Sequence, residues 1–175
     1  MKIKKIRKYQ IFSIVFTLIL GTLLHFTYGW SGENKFVAIF SSVNESTWEH
    51  LKLLYFPMLL NLIIGYFYFG KNVSNYVCSK TIGILVSIAF TIIFFYTYAG
   101  VLGRNIAFID ISSFFVAAIL GEITSYLLII NKFKCNNVIA IVVLIILLIC
   151  FKQFTFNAPH IGLFKDPITN TYGIN

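Results

Sequence analysis

Eight consecutive residues, Glu45-Ser46-Thr47-Trp48-Glu49-His50-Leu51-Lys52, carry two carboxylates, an imidazole and an ammonium. Histidine beside carboxylate can hold a divalent metal and activate water, or work as an acid–base pair near neutral pH. His25, His160, Asp110 and Asp166 belong to the same chemistry. We read His25, His50 and His160 as candidate metal ligands, with a divalent metal such as zinc as the cofactor. Glu45, Glu49, His50, Lys52, Asp110 and Asp166 are the candidate catalytic groups, with Lys52 as a contact to a headgroup phosphate. Ser46 stands one helical turn before His50, within reach for a serine nucleophile and its base, though such pairs are common by chance.

The elements that must position these groups are hydrophobic. Of 175 residues, 58% are hydrophobic and 11% charged, against about 25% charged in soluble domains, so the natural solvent of this chain is lipid. Five apolar runs, 11–28, 51–69, 81–98, 108–130 and 138–154, approach the roughly 20 residues needed to cross a bilayer. The fold class is therefore all-α, a polytopic five-helix membrane bundle over residues 1–156. Residues 157–175 are too polar to span and too aromatic for a plain disordered end, and are expected to fold over the bundle mouth. The first run has the basic start of a signal peptide but no small-x-small cleavage site, so it reads as an uncleaved helix. No metal-ligand spacing links Cys78, Cys135 and Cys150, which are expected to be inert thiols rather than a disulfide.

The net charge of +8 does not point to nucleic acid, because the basic residues sit at the ends of apolar runs. Nine lysines and arginines fall on one side, a five-residue cluster at the N-terminus with Lys71 and Lys80 in one loop and Lys132 and Lys134 in another, and five on the other. The positive-inside rule then puts the N-terminus in the cytoplasm and the C-terminus outside. All three histidines and five of the six carboxylates land on the outer side, leaving Glu122 deep in the membrane. A small protein must put its few acids somewhere, and that accounts for part of the asymmetry. Convergence on one outward-facing polar site accounts for it as well.

Ser46-x-x-Glu49 is a capping box at the head of the second helix, and Trp48 suits an interfacial belt. His50, Pro57 and Asn61 share one helical face and are expected to line a cleft descending from the outer surface. A ladder of small residues on the fourth helix, Ser113, Ala117, Gly121 and Ser125, is expected to form the opposite wall. Asp110 tops this ladder and Glu122 flanks it. A charge at mid-membrane costs about 2.5 to 3.5 kcal/mol on insertion scales. Glu122 is thus expected either to be protonated and bonded to a neighbour such as Asn61, or to handle protons or ions. Residues 31–43 suit either a loop or a short interfacial helix.

"VNESTWEHLKLLYFP", His25 and the closing "PHIGLFKDPITNTYG" resemble an uncharacterised family of small bacterial membrane proteins. That family is marked by Asn-Glu-Ser-x-Trp-Glu-His-x-Lys and by a C-terminal Asp-Pro-x-Thr-x-x-Tyr-Gly. The resemblance implies a five-helix fold over the whole chain and no established activity. Ala158 departs from the pattern, where a second proline is expected before Pro159-His160.

These readings favour a metal-dependent or acid–base hydrolase or transferase in the bacterial cytoplasmic membrane, acting on a lipid or lipid-linked substrate at the outer leaflet. The alternatives are a non-catalytic small-molecule or lipid binding or transport component, and a membrane assembly partner.

Overall fold

A computed structural model describes residues 3–174. Five helices follow one another: α1 (Ile3–Trp30), α2 (Thr47–Tyr68), α3 (Tyr76–Leu102), α4 (Ala107–Ile130) and α5 (Asn137–Phe156). All five are long and apolar enough to cross a membrane, which makes this a multi-pass membrane protein. Each is longer than its apolar run, because local chemistry extends it at one or both ends. Ser46 caps α2 by accepting from the Glu49 N–H, so that helix starts at Thr47 rather than 51. The Asn136 side chain accepts from the Val138 and Ile139 N–H groups and starts α5. Gly103, at φ 67°, takes the left-handed position that stops α3, a conformation costly to any residue with a Cβ.

Helix α3 packs along α4, α2 lies against α1 and α3, α1 also touches α4, and α5 packs mainly on α3. The α3/α4 contact is the one the small-residue ladder builds. Gly83 and Gly121 face each other with no room for a Cβ on either, and the Ser87 hydroxyl donates to the Ala117 carbonyl at 2.8 Å. The ladder therefore serves α3 rather than a cleft facing α2.

The interior is polar at several levels. Asn61, fully buried, donates to the Ser13 carbonyl and the Thr17 hydroxyl, both at 3.1 Å. It ties α2 to α1 and lines no cleft below His50. Glu122 meets Lys80 at 2.5 Å and accepts from the Gln10 amide, joining α4 to α3 and α1. Its partner is thus a lysine expected in a cytoplasmic loop, because α3 begins five residues before its apolar run and carries Lys80 inside. An ammonium beside the carboxylate replaces the neutral pairing with Asn61.

Cys78 lies in α3 rather than in a connection, and it is disulfide-bonded to Cys135 with Cα atoms 6.2 Å apart. This corrects the expectation of inert thiols. The packing of α3 against the α4–α5 connection brings together two cysteines 57 residues apart, which spacing rules for metal sites cannot detect.

A His–Glu–His candidate metal centre

The segment between α1 and α2 is a loop with one 3-10 turn, Val37–Ile39. It is anchored from below by a buried ion pair. Lys52 and Glu49, one turn apart on α2, meet at 2.5 Å with side chains 0% and 2% exposed. The Lys52 ammonium also donates to the Ala38 carbonyl at 2.7 Å and the Thr155 hydroxyl at 3.0 Å. The Glu49 carboxylate accepts from the Val43 N–H at 3.0 Å and the Thr155 hydroxyl at 2.9 Å. Two groups expected to do chemistry are thus fully engaged in holding the loop and α5 to α2. Lys52 cannot reach a headgroup phosphate from inside the protein. Half of the capping box forms; Glu49 reaches Val43, and the Ser46 N–H is taken instead by Asn44 Oδ1 at 3.0 Å.

The C-terminal segment docks on the same end. Asp166 Oδ1 accepts from the N–H groups of Ile168 at 2.7 Å and Thr169 at 3.3 Å, closing a turn. Burial pushes the Asp166 carboxyl up, but the N–H groups of Ile168, Thr169 and Glu45 and the Thr169 hydroxyl outweigh it and hold it below its ordinary range. The Gly173 carbonyl accepts from Asn44 Nδ2 at 3.1 Å, and the Ile174 N–H donates to the Thr155 carbonyl at 3.0 Å. Phe164 packs its ring 4.9 Å from that of Trp48. The two motifs quoted above, 43–57 and 159–173, therefore meet in space.

At this junction Glu45 stands between two imidazoles. His50 Nε2 is 3.4 Å from Glu45 Oε2, and His25 Nε2 is 3.7 Å from Glu45 Oε1. One ligand atom from each residue lies within 4.8 Å of the others, the only such His/Cys/Asp/Glu group among the described residues. His25 comes from the C-terminal part of α1, which runs on to Trp30, two residues past its apolar run. All three side chains are partly exposed, at 28 to 42%.

His50 has a defined orientation. Its Nδ1 is 2.9 Å from the Ser46 carbonyl, which can only accept, so Nδ1 carries a hydrogen. Nε2 is then a lone pair facing a carboxylate oxygen unless a proton or cation lies between them. The His50 hydrogen bond leads the influences that hold the Glu45 carboxyl below its ordinary range, with the charges of both imidazoles adding to it against burial. Ligands about 2.0–2.1 Å from a tetrahedral zinc stand about 3.4 Å apart, close to the two separations seen here. Those two separations run to different Glu45 oxygens and the three ligand atoms span up to 4.8 Å, so the group can hold a divalent metal once the side chains draw together. His25 is the less well-supported ligand, since its Nδ1 is buried and has no hydrogen-bond partner among the described residues.

Other candidates fall elsewhere. His160 is stacked on Tyr172 with ring centroids 4.4 Å apart and is not part of the group. Asp110 accepts from the Tyr98 hydroxyl, bracing the α3–α4 hairpin. The Ser46 hydroxyl is engaged with the Glu49 N–H, and His50 addresses its carbonyl, so no serine–histidine pair forms.

A family model described as "Family of unknown function (DUF6512)" matches residues 1–174. The chain belongs to that family. The match takes in all five helices and both segments that meet at Glu45, so the junction lies within the family's domain. No curated protein and no solved structure matches the sequence. Sequence reasoning missed Thr155 and Asn44, which knit the loop, α5 and the C-terminal segment together. Asn44 precedes the motif acid Glu45 directly, but nothing marks Thr155 within its apolar helix.

Proposed function

We propose that this membrane protein binds a divalent transition metal through His25, Glu45 and His50. The observation that carries the proposal is the convergence of two imidazoles on Glu45, with His50 anchored through Nδ1 on the Ser46 carbonyl so that its Nε2 is directed at the carboxylate. A metal there would take the place of the proton that His50 Nε2 otherwise shares with Glu45. Two nitrogens and one carboxylate suit zinc, and three protein ligands with an open position mark catalytic rather than structural zinc sites. When bound, such an ion polarises a carbonyl or phosphoryl oxygen as a Lewis acid.

We extend this to a hydrolase or transferase acting on a lipid or lipid-linked substrate. The supporting observation is position. The group lies at the end of the bundle where α1 finishes and α2 starts and is partly exposed, which in a bilayer would bring it near the lipid headgroups. The lysine distribution turns this end outward. Lys52 and Lys80 are buried in ion pairs and no longer count as loop charges, which leaves eight basic residues against four with the same bias. We place the protein in the bacterial cytoplasmic membrane with the site at the outer leaflet.

Elemental analysis of the detergent-purified protein, followed by zinc titration, tests the metal. One equivalent per chain is expected, with His50→Ala binding none. No retained transition metal and no titratable site would reject it.

A further inference from the structure

At the opposite end of the bundle the first turns of α1 and the last turn of α2 enclose a groove of about 580 Å3. Lys4, Lys5 and Lys8 line it together with the exposed apolar side chains of Phe12 and Ile64. None of the three lysines pairs with a carboxylate among the described residues. One of them is already positioned. Lys5 Nζ sits 4.1 Å above the ring centroid of Tyr68 and 3.5 Å from the Tyr68 carbonyl. The ring holds the ammonium beside the groove without neutralising it.

From this arrangement we propose that the groove is a binding site for a single anionic diacyl phospholipid. The charge is complementary, because three ammonium groups with no carboxylate partner among the described residues line one groove, a match for a headgroup phosphate. The depth matches as well. Phe12 lies eight residues below Lys4 on α1, about 12 Å along the axis, so the apolar lining continues from the headgroup layer into the acyl region. Basic pockets between membrane helices select anionic headgroups in this way, whereas scattered lysines give only diffuse attraction. The site is independent of the His–Glu–His centre, which lies at the other end of the helices.

Native mass spectrometry in a neutral detergent, with dioleoyl phosphatidylglycerol or dioleoyl phosphatidylcholine added, tests the proposal. One phosphatidylglycerol per chain is expected to be retained, at least tenfold more tightly than phosphatidylcholine. Each lysine changed to glutamine is expected to cost about fivefold in affinity, and Lys4→Arg/Lys5→Arg/Lys8→Arg should keep the lipid. Ile64→Trp, which fills the groove and leaves the insertion charges untouched, should also release it. Equal retention of the two lipids would overturn the proposal, as would undiminished binding by the triple glutamine variant or by Ile64→Trp. Full displacement by inorganic phosphate would overturn the lipid as occupant and leave a simple anion site.

Discussion

His50 Nε2 lies 3.4 Å from Glu45 Oε2 while the Ser46 carbonyl holds the other ring nitrogen at 2.9 Å. An imidazole fixed from behind loses little freedom when it takes a metal, and His25 lacks that support. His50→Ala is therefore expected to lower zinc affinity more than His25→Ala, with Glu45→Gln between them. Protons compete for the same lone pairs, so affinity should fall with pH as the imidazoles take up protons. Competition titration against a chelator at several pH values checks both the ranking and the slope.

The buried pair Glu49–Lys52 sets a second expectation. Removing one partner strands a buried charge, which costs about 3–5 kcal/mol. Lys52→Met should therefore lower the thermal unfolding midpoint sharply in detergent. Glu49→Gln/Lys52→Met should recover much of the loss, because no net charge remains inside. A double variant no better than the single one would mean that the hydrogen bonds to Ala38, Val43 and Thr155 dominate.

The existence of five helices was legible in the sequence because long apolar runs have few other uses. Their ends were less so, since capping by Ser46 and Asn136 adds turns that hydropathy does not register. Of the candidate site, the neighbours Glu45 and His50 were visible, and His25 was singled out as a histidine near a helix end. The roles of Glu49 and Lys52 were misread because a turn of charged residues at a helix head looks the same whether solvated or buried. Only tertiary packing, through Thr155 on a helix 103 residues away from Lys52, decides between those states. The same holds for Lys80, whose place near a helix start suggested a loop until Glu122 is seen beside it.

Acid should loosen the junction from the side of the C-terminal segment. Glu45 and Asp166 both have carboxyls held below their ordinary values in the folded state. Such groups contribute stability above their unfolded values, about 4.3 and 3.9, and lose it as pH falls through the lower folded ones. The segment is therefore expected to detach below about pH 4. Asp166→Asn should cleave faster with trypsin at Lys165 at neutral pH and show a flatter acid limb. Hydrogen exchange at Ile168 and Thr169, whose N–H groups Asp166 accepts, gives a direct measurement of the docking.

Two features of the amino-terminal end pull orientation in opposite directions. The lysine excess directs that end to the cytoplasm, whereas a bonded Cys78–Cys135 pair suits an oxidising compartment. The lysines act during insertion, when topology is decided; the cysteines can pair whenever an oxidant reaches them, including after cell lysis. The charges should therefore win. In a background with all three cysteines changed to serine, Asn170→Cys is expected to react with a membrane-impermeant maleimide in intact cells. Lys71→Cys should react only after the membrane is opened. Labelling of Lys71→Cys from outside would reverse the topology and place the His25–Glu45–His50 group on the cytoplasmic face.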